Sequence, residues 1–318
     1  MTADSSAGAL AKRQFGRTGL LVHPLCVGCA PLGNMPADFG YAVSEDTALA
    51  TVRAAFDSPI NFMDTAAMYG DGESERRIGM VIRERGGLPS GFVLATKADR
   101  DMTTNYFGGD QARRSVERSL RLLGLARFQV LYLHDAEYSS WEQVTGPGGA
   151  LEALLRYREE GIIQHLGVAG GPIDVMMRYV ALGVFEAVIT HNRWNLLNRD
   201  AEPLLTQAHA RGMAVVNAAP YGSGILAKGP EGHSRFMYRE ASPELVARTR
   251  RIQAICASYG VPMAAAALQF SLREPRITST IVGMTRPERV AQTLSLATYP
   301  IPDGLWQELA AVIPAAGK

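Results

Sequence analysis

Short apolar runs alternate with stretches of helical spacing along nearly the whole chain. Residues 25–33, 61–66, 92–97, 128–134, 165–170, 187–191, 214–219 and 278–283 read as strands. Between them, residues 44–58, 74–85, 110–123, 149–160, 173–182, 201–211, 242–259, 263–273 and 287–296 carry apolar positions at helical spacing. Residues 303–312 add one further helix. Ser44 is placed to cap the first helix. Gly124, Gly161, Gly183 and Gly212 stand where helices should stop. Pro262 separates two helices in succession.

The strands are short continuous apolar runs, not alternating ones, which is the pattern of a parallel sheet covered on both faces. Eight strand–helix units with no linker or composition break predict one α/β domain spanning residues 1–318, a (β/α)8 barrel of the TIM type. Residues 1–13 read as a loose tail. The longest connections, 99–109, 135–148 and 222–241, all follow strand ends. In a barrel they share one rim, the rim that carries chemistry.

Three successive predicted strands end in polar groups: Asp64, Lys97 and His134. A charge at the end of an apolar strand is costly unless it is paired or used. Barrel closure would bring these ends together, and Tyr69 follows Asp64 on a glycine-flanked loop. A phenol, an ammonium, a carboxylate and an imidazole form a coherent acid/base set. The ammonium favours the phenolate, the carboxylate holds the ammonium, and the imidazole can hydrogen-bond the reacting oxygen. Singly, each residue could equally be a cap, a lid, a snorkelling lysine or a satisfied core histidine. Such a set moves protons at a carbonyl or alcohol oxygen, and a nicotinamide or flavin would have to move the hydride.

Composition narrows the classes. Of 318 residues, 47% are hydrophobic and 20% charged, which suits a large folded core. A net charge of +1 gives no electrostatic case for nucleic acid. No stretch approaches the length of a membrane span, and the first residues lack a signal-peptide core. With only Cys26, Cys29 and Cys256, the expectation is a soluble cytoplasmic protein acting on a small molecule. Oligomeric state is left open. Cys26-Val-Gly-Cys29 has metal-ligand spacing, but it lies on a strand and no second pair accompanies it, so no metal is expected. Gly70-Asp-Gly72 lacks the third glycine of a dinucleotide turn.

The segment Asp64-Thr-Ala-Ala-Met-Tyr69-Gly70, followed by Ser74-Glu75-Arg76-Arg77-Ile78-Gly79, resembles the signature of the aldo-keto reductase family. The resemblance runs from Arg13-Gln-Phe-Gly16 to Gln292. It implies the same barrel, NAD(P)-dependent oxidoreduction, and Asp64, Tyr69, Lys97 and His134 as the catalytic tetrad, with Tyr69 the acid/base.

The family's cofactor positions fall on altered residues. Gly167-Val168-Ala169-Gly170 stand where a Ser-Asn pair usually holds the carboxamide. His191, followed by Asn192, replaces the usual glutamine, and Ala218 replaces a stacking tyrosine. Gly222, Gly224 and Leu226 lie on the loop expected over the pyrophosphate. Gly283 takes the place of a lysine that binds the NADP phosphate, with Thr285, Arg289 and Gln292 beyond it. That substitution implies NAD in preference to NADP, although Arg286 or Arg289 could still bind a phosphate.

Tyr69-Gly-Asp-Gly-Glu-Ser74-Glu, Leu133-His134-Asp135 and Ala219-Pro220-Tyr221-Gly222-Ser223-Gly224 resemble the aldose 1-dehydrogenase branch. That branch holds L-fucose, L-galactose and D-threo-aldose dehydrogenases and a pyridoxal 4-dehydrogenase. The resemblance implies oxidation of an aldose lactol to a lactone. Trp141 and Trp194 lie on the expected rim loops, where either could line a substrate pocket or equally cover the barrel mouth. Pyridoxal oxidation and broad aldehyde reduction are the alternatives. A cofactor-binding regulatory subunit on the same barrel is the non-enzymatic one.

Overall fold

The computed structural model describes residues 10–316 apart from Tyr238. Its centre is a closed barrel of eight parallel strands in chain order: β1 (Leu25–Gly28), β2 (Phe62–Asp64), β3 (Val93–Ala98), β4 (Phe128–His134), β5 (Ile163–Gly170), β6 (Ala187–His191), β7 (Ala214–Ala218) and β8 (Ser279–Gly283). Pairing of β8 with both β7 and β1 closes the ring. The expected (β/α)8 barrel is therefore the observed fold. Two predicted strands are shorter than expected. Residues 30–33 form a 3-10 turn containing Pro31, and β2 stops at Asp64.

The barrel has two cores, separated by the alternation of side chains along each strand. Phe62, Val93, Ala95, Val130, Tyr132, Ala169, Ile189, Val216 and Ile281 fill its interior. The other face of each strand, including Met63, Leu94, Leu131, Leu133, Val168 and Val188, packs under the surrounding helices. The same period settles where the polar strand ends point. Val93 and Ala95 face inward, so Lys97 and Asp99 follow them; Val130 and Tyr132 face inward, so His134 follows.

The expected tail ends sooner than residue 13. Arg13–Gln14 pairs with Leu21–Val22 as a small hairpin beneath the barrel, and Arg13 donates to the carbonyls of Ile277 (2.6 Å) and Leu272 (2.8 Å). Phe15 and Val22 close the interior core from below, Phe15 meeting Phe62 edge-on at 5.4 Å. Gly16 makes the close approach possible, since a Cβ there would stand 2.5 Å from the Ala214 nitrogen. Residues 1–9 lie outside the described residues. No single helix among the described residues is long and apolar enough to cross a membrane.

Candidate active site

The neighbouring ends of β2, β3 and β4 carry Asp64, Lys97 and His134 to the upper rim, and the structure brings all three together with Tyr69. Lys97 and Asp64 are both buried and form an ion pair. The ammonium also donates to the Thr65 carbonyl at 2.6 Å and to the Tyr69 hydroxyl at 3.3 Å. Burial alone would lower the lysine's pKa, but Asp64 and the Tyr69 oxygen outweigh it and hold it above the ordinary value. The result is a fixed positive charge facing a phenol.

The loop carrying Tyr69 is fixed from several directions. Gly70 crosses the loop after β1 so closely that a Cβ would fall 1.9 Å from the Gly33 oxygen. Ser74 shares a hydrogen bond with Thr65 and donates to the Cys29 carbonyl, each at 2.9 Å. Asp99 Oδ2 accepts from the Met68 amide at 2.8 Å.

Asp99 also reaches the imidazole. Its other oxygen lies 2.5 Å from His134 Nδ1, while Asp135 Oδ1 lies 3.4 Å from Nε2. Burial opposes a charge on this ring, but Asp135 and Asp99 prevail and raise its pKa. Asp99 thus joins the imidazole to the tyrosine loop, a role the sequence reading did not assign. Its signal was there: it stands two residues after Lys97, the period of a strand face.

Behind these groups Glu75 is fully buried. It accepts from Thr96 Oγ1 at 2.5 Å and Ser119 Oγ at 3.0 Å, and burial pushes its pKa up to about 7.

The candidate cofactor positions occupy the far side of the same rim. His191 ends β6 in register with Ala218 at the end of β7, and burial lowers the His191 pKa to about 4, so the ring is neutral. The buried Asn192 Oδ1 has no hydrogen-bond partner among the described residues, and Ala218 presents only a methyl group beside it. A carboxamide donor and a flat ring are what such a corner can receive, so the residues fit a nicotinamide. Gly222 and Gly224 adopt left-handed φ on the loop after β7. Gly283 is exposed at the end of β8, with Thr285 and Arg289 half-buried and Gln292 exposed beyond it. Leu226 is different. Its side chain is fully buried and its amide donates to the Tyr221 carbonyl, so neither is free for a ligand.

The two tryptophans also separate. Trp194 is 2% exposed, stacked on Phe270 at 5.8 Å in the packing under the helices. This burial takes it out of any substrate wall. Trp141 opens a short helix in the loop after β4, half-buried against Tyr179 and the Arg178 guanidinium. All three cysteines are free and buried: Cys26 inside the barrel wall, Cys29 outside it, and Cys256 in a separate apolar cluster. No cluster of metal-ligating side chains occurs among the described residues.

Comparison with known proteins identifies the family and the fold. A profile described as the aldo/keto reductase family matches residues 24–314. A pyridoxal 4-dehydrogenase from Microbacterium luteolum is 33% identical, covering 94% of this chain and 96% of its own. A D-threo-aldose 1-dehydrogenase from a Pseudomonas species is 33% identical (92% and 94%), and an L-galactose dehydrogenase from Arabidopsis thaliana 31% identical (95% and 93%). Among solved structures, an aldo-keto reductase from Bacillus halodurans in its holo form superposes with a TM-score of 0.77 at 20% identity, covering 96% of this chain and 97% of its own.

Proposed function

This chain belongs to the aldo/keto reductase family of nicotinamide-dependent oxidoreductases, and on that premise we propose that it oxidises an aldose at C1, lactol to lactone, with NAD. The observation that carries the reading is the buried Lys97 ammonium, locked by Asp64 and the Thr65 carbonyl and held 3.3 Å from the Tyr69 oxygen.

The chemistry follows from those contacts. The C1 hydroxyl proton passes to the Tyr69 oxygen as the C1–H bond breaks and the carbonyl forms. The phenolate needed for this is stabilised by the Lys97 charge. The imidazole of His134, oriented by Asp99, donates to the same substrate oxygen and fixes its position. The bound nicotinamide supplies the hydride acceptor. Asn192 Oδ1 would hold the carboxamide beside the neutral His191 and the Ala218 methyl group.

NAD is favoured over NADP because Gly283 brings no cation to the end of β8, and Arg286 already faces Glu288 at 3.8 Å. A reducing, cytoplasmic setting belongs to the same reading, supported by three free, buried cysteines.

The test is a panel of aldoses and pyridoxal, each with NAD and NADP, followed by the absorbance of the reduced nicotinamide. The expected result is NAD reduction by at least one aldose. If pyridoxal or simple aldehydes react while all aldoses are inert, the aldose reading fails and the family chemistry stands alone.

A further inference from the structure

Beside the catalytic imidazole lies a pair of charged groups that carry no proton in this chemistry. Asp135 follows His134 directly and takes a left-handed backbone, φ 48°, unusual for a residue with a side chain. Its amide donates to the Ala169 carbonyl at 2.9 Å and its carbonyl accepts from the Tyr138 amide at 3.2 Å, so the turn is fixed at both ends. This conformation sets Oδ1 3.4 Å from His134 Nε2, the nitrogen that Asp99 leaves open.

Across from it stands Arg100, 8% exposed. Its Nε donates to Asn105 Oδ1 at 2.8 Å, and its guanidinium lies 4.2 Å over the Tyr138 ring. Asn105 is itself in a left-handed turn, φ 59°. Held this way, the buried Nη1 has no hydrogen-bond partner among the described residues. Asp135 Oδ2 is 3.8 Å away, close enough to compensate the charge but too far for a hydrogen bond.

A buried donor and a fixed acceptor that narrowly miss each other are costly to leave unbonded, and their stacking and turn geometry keeps them from closing the gap. A hydroxyl oxygen can serve both at once, donating to the carboxylate and accepting from the guanidinium. Because Asp135 also flanks Nε2, which faces the reacting oxygen, this hydroxyl belongs on the carbon next to the reacting one.

We propose that Arg100 and Asp135 recognise a hydroxyl adjacent to the reacting carbon, making the enzyme selective for α-hydroxy carbonyl compounds. The assignment deepens the aldose reading and rests on its placement of the substrate oxygen at Tyr69 and His134. It is tested without any sugar by comparing reduction of glycolaldehyde and acetaldehyde. These differ only in that hydroxyl.

The wild-type kcat/KM should favour glycolaldehyde by about 10–100-fold, the worth of one charge-assisted hydrogen bond. Asp135→Asn keeps a residue that tolerates left-handed turns, and it should shrink the glycolaldehyde-to-acetaldehyde ratio by about 10-fold, as should Arg100→Lys. Equal use of the two aldehydes by the wild type, use of neither, or variants that slow both equally would overturn the assignment. The last result would mean that Asp135 acts only through His134. Oxidation of aldoses and of their 2-deoxy forms, run in parallel, separates the two claims. Aldose oxidation with no discrimination against the 2-deoxy sugar sinks the pair alone. Strong α-hydroxy preference with inert aldoses sinks the sugar reading alone.

Discussion

At the lower end of the barrel, where strands begin, the chain turns on glycine: Gly86, Gly91, Gly124, Gly161, Gly183 and Gly212 all take left-handed φ there. At the upper end, where strands finish, glycines such as Gly70, Gly72, Gly222 and Gly224 share that conformation with residues that carry side chains: Asn34, Asp71, Asn105, Asp135, Asn192, Ala219, Ser223 and Met237. Every non-glycine residue of this kind among the described residues lies in a loop that leaves a strand's C-terminal end. The lower turns need only to reverse the chain, and glycine does so without strain. The upper turns must also aim a side chain, and the surrounding structure holds the strain.

Polar groups follow the same division. Asp64, Lys97, Asp99, His134 and Asp135 meet at the upper rim, whereas the lower opening is plugged by Phe15 and Val22. The lower groove lined by Arg17, Val180, Gly183, Phe185, Arg211 and Met213 sets two exposed arginines against an apolar floor, with none of the interlocked pairs seen above. One end of this barrel is built for closure and the other for chemistry.

Substitutions at the two ends should separate stability from turnover. Tyr69→Phe keeps the ring and removes the proton carrier, so kcat should fall about 10²–10⁴-fold while the melting temperature stays near that of the wild type. Wild-type turnover in the purified variant would show that the upper rim does not work as described. Phe15→Ala at the lower end should do the reverse. Removing a fully buried ring should cost about 3–5 kcal/mol of unfolding free energy in urea titrations, with kcat close to normal. A collapse of kcat with stability intact would mean that the plug is part of the site.

Glu75 tests how the upper rim tolerates buried charge. Its carboxyl titrates near 4.5 when unfolded and about 7 when folded, so the folded state holds the extra proton between those values. Its contribution to stability is therefore full below the unfolded pKa and lost as pH rises through 7, by about 3 kcal/mol. Glu75→Gln, which can still bond Thr96 and Ser119, should flatten the loss of stability between pH 5 and pH 8 seen in denaturant midpoints. An unchanged slope would remove Glu75 as its source.

The smallest effect is expected at Asp99. Asp99→Asn exchanges a charge-assisted bond to the imidazole for a neutral one, worth about 1.4 kcal/mol, so kcat/KM should drop about 10-fold. The loss should grow with pH, because the imidazole's raised pKa depends on the carboxylates beside it. A pH-independent loss would indicate a structural role for Asp99 alone.

The alternation of strands and helices, the barrel, and the residues at the strand ends are all legible in the amino-acid sequence. These are local properties: a period of two or 3.6 assigns each side chain a face, and Gly124 or Ser44 marks where an element ends. The sequence also carries the Tyr69 loop, whose tight turn is written in Gly70 and Gly72. Whatever depends on two loops meeting was set only by folding. His134 is bound at Nδ1 by Asp99, the residue just beyond the preceding strand, not by its chain neighbour Asp135, because the register of β3 and β4 sets that contact. Trp194 stands in a rim loop in sequence yet is buried, because its ring turns down onto Phe270 of a helix far along the chain. The near miss between Arg100 and Asp135 is likewise invisible in sequence. It exists only once barrel closure fixes the distance between two neighbouring strand ends, a quantity no local pattern encodes.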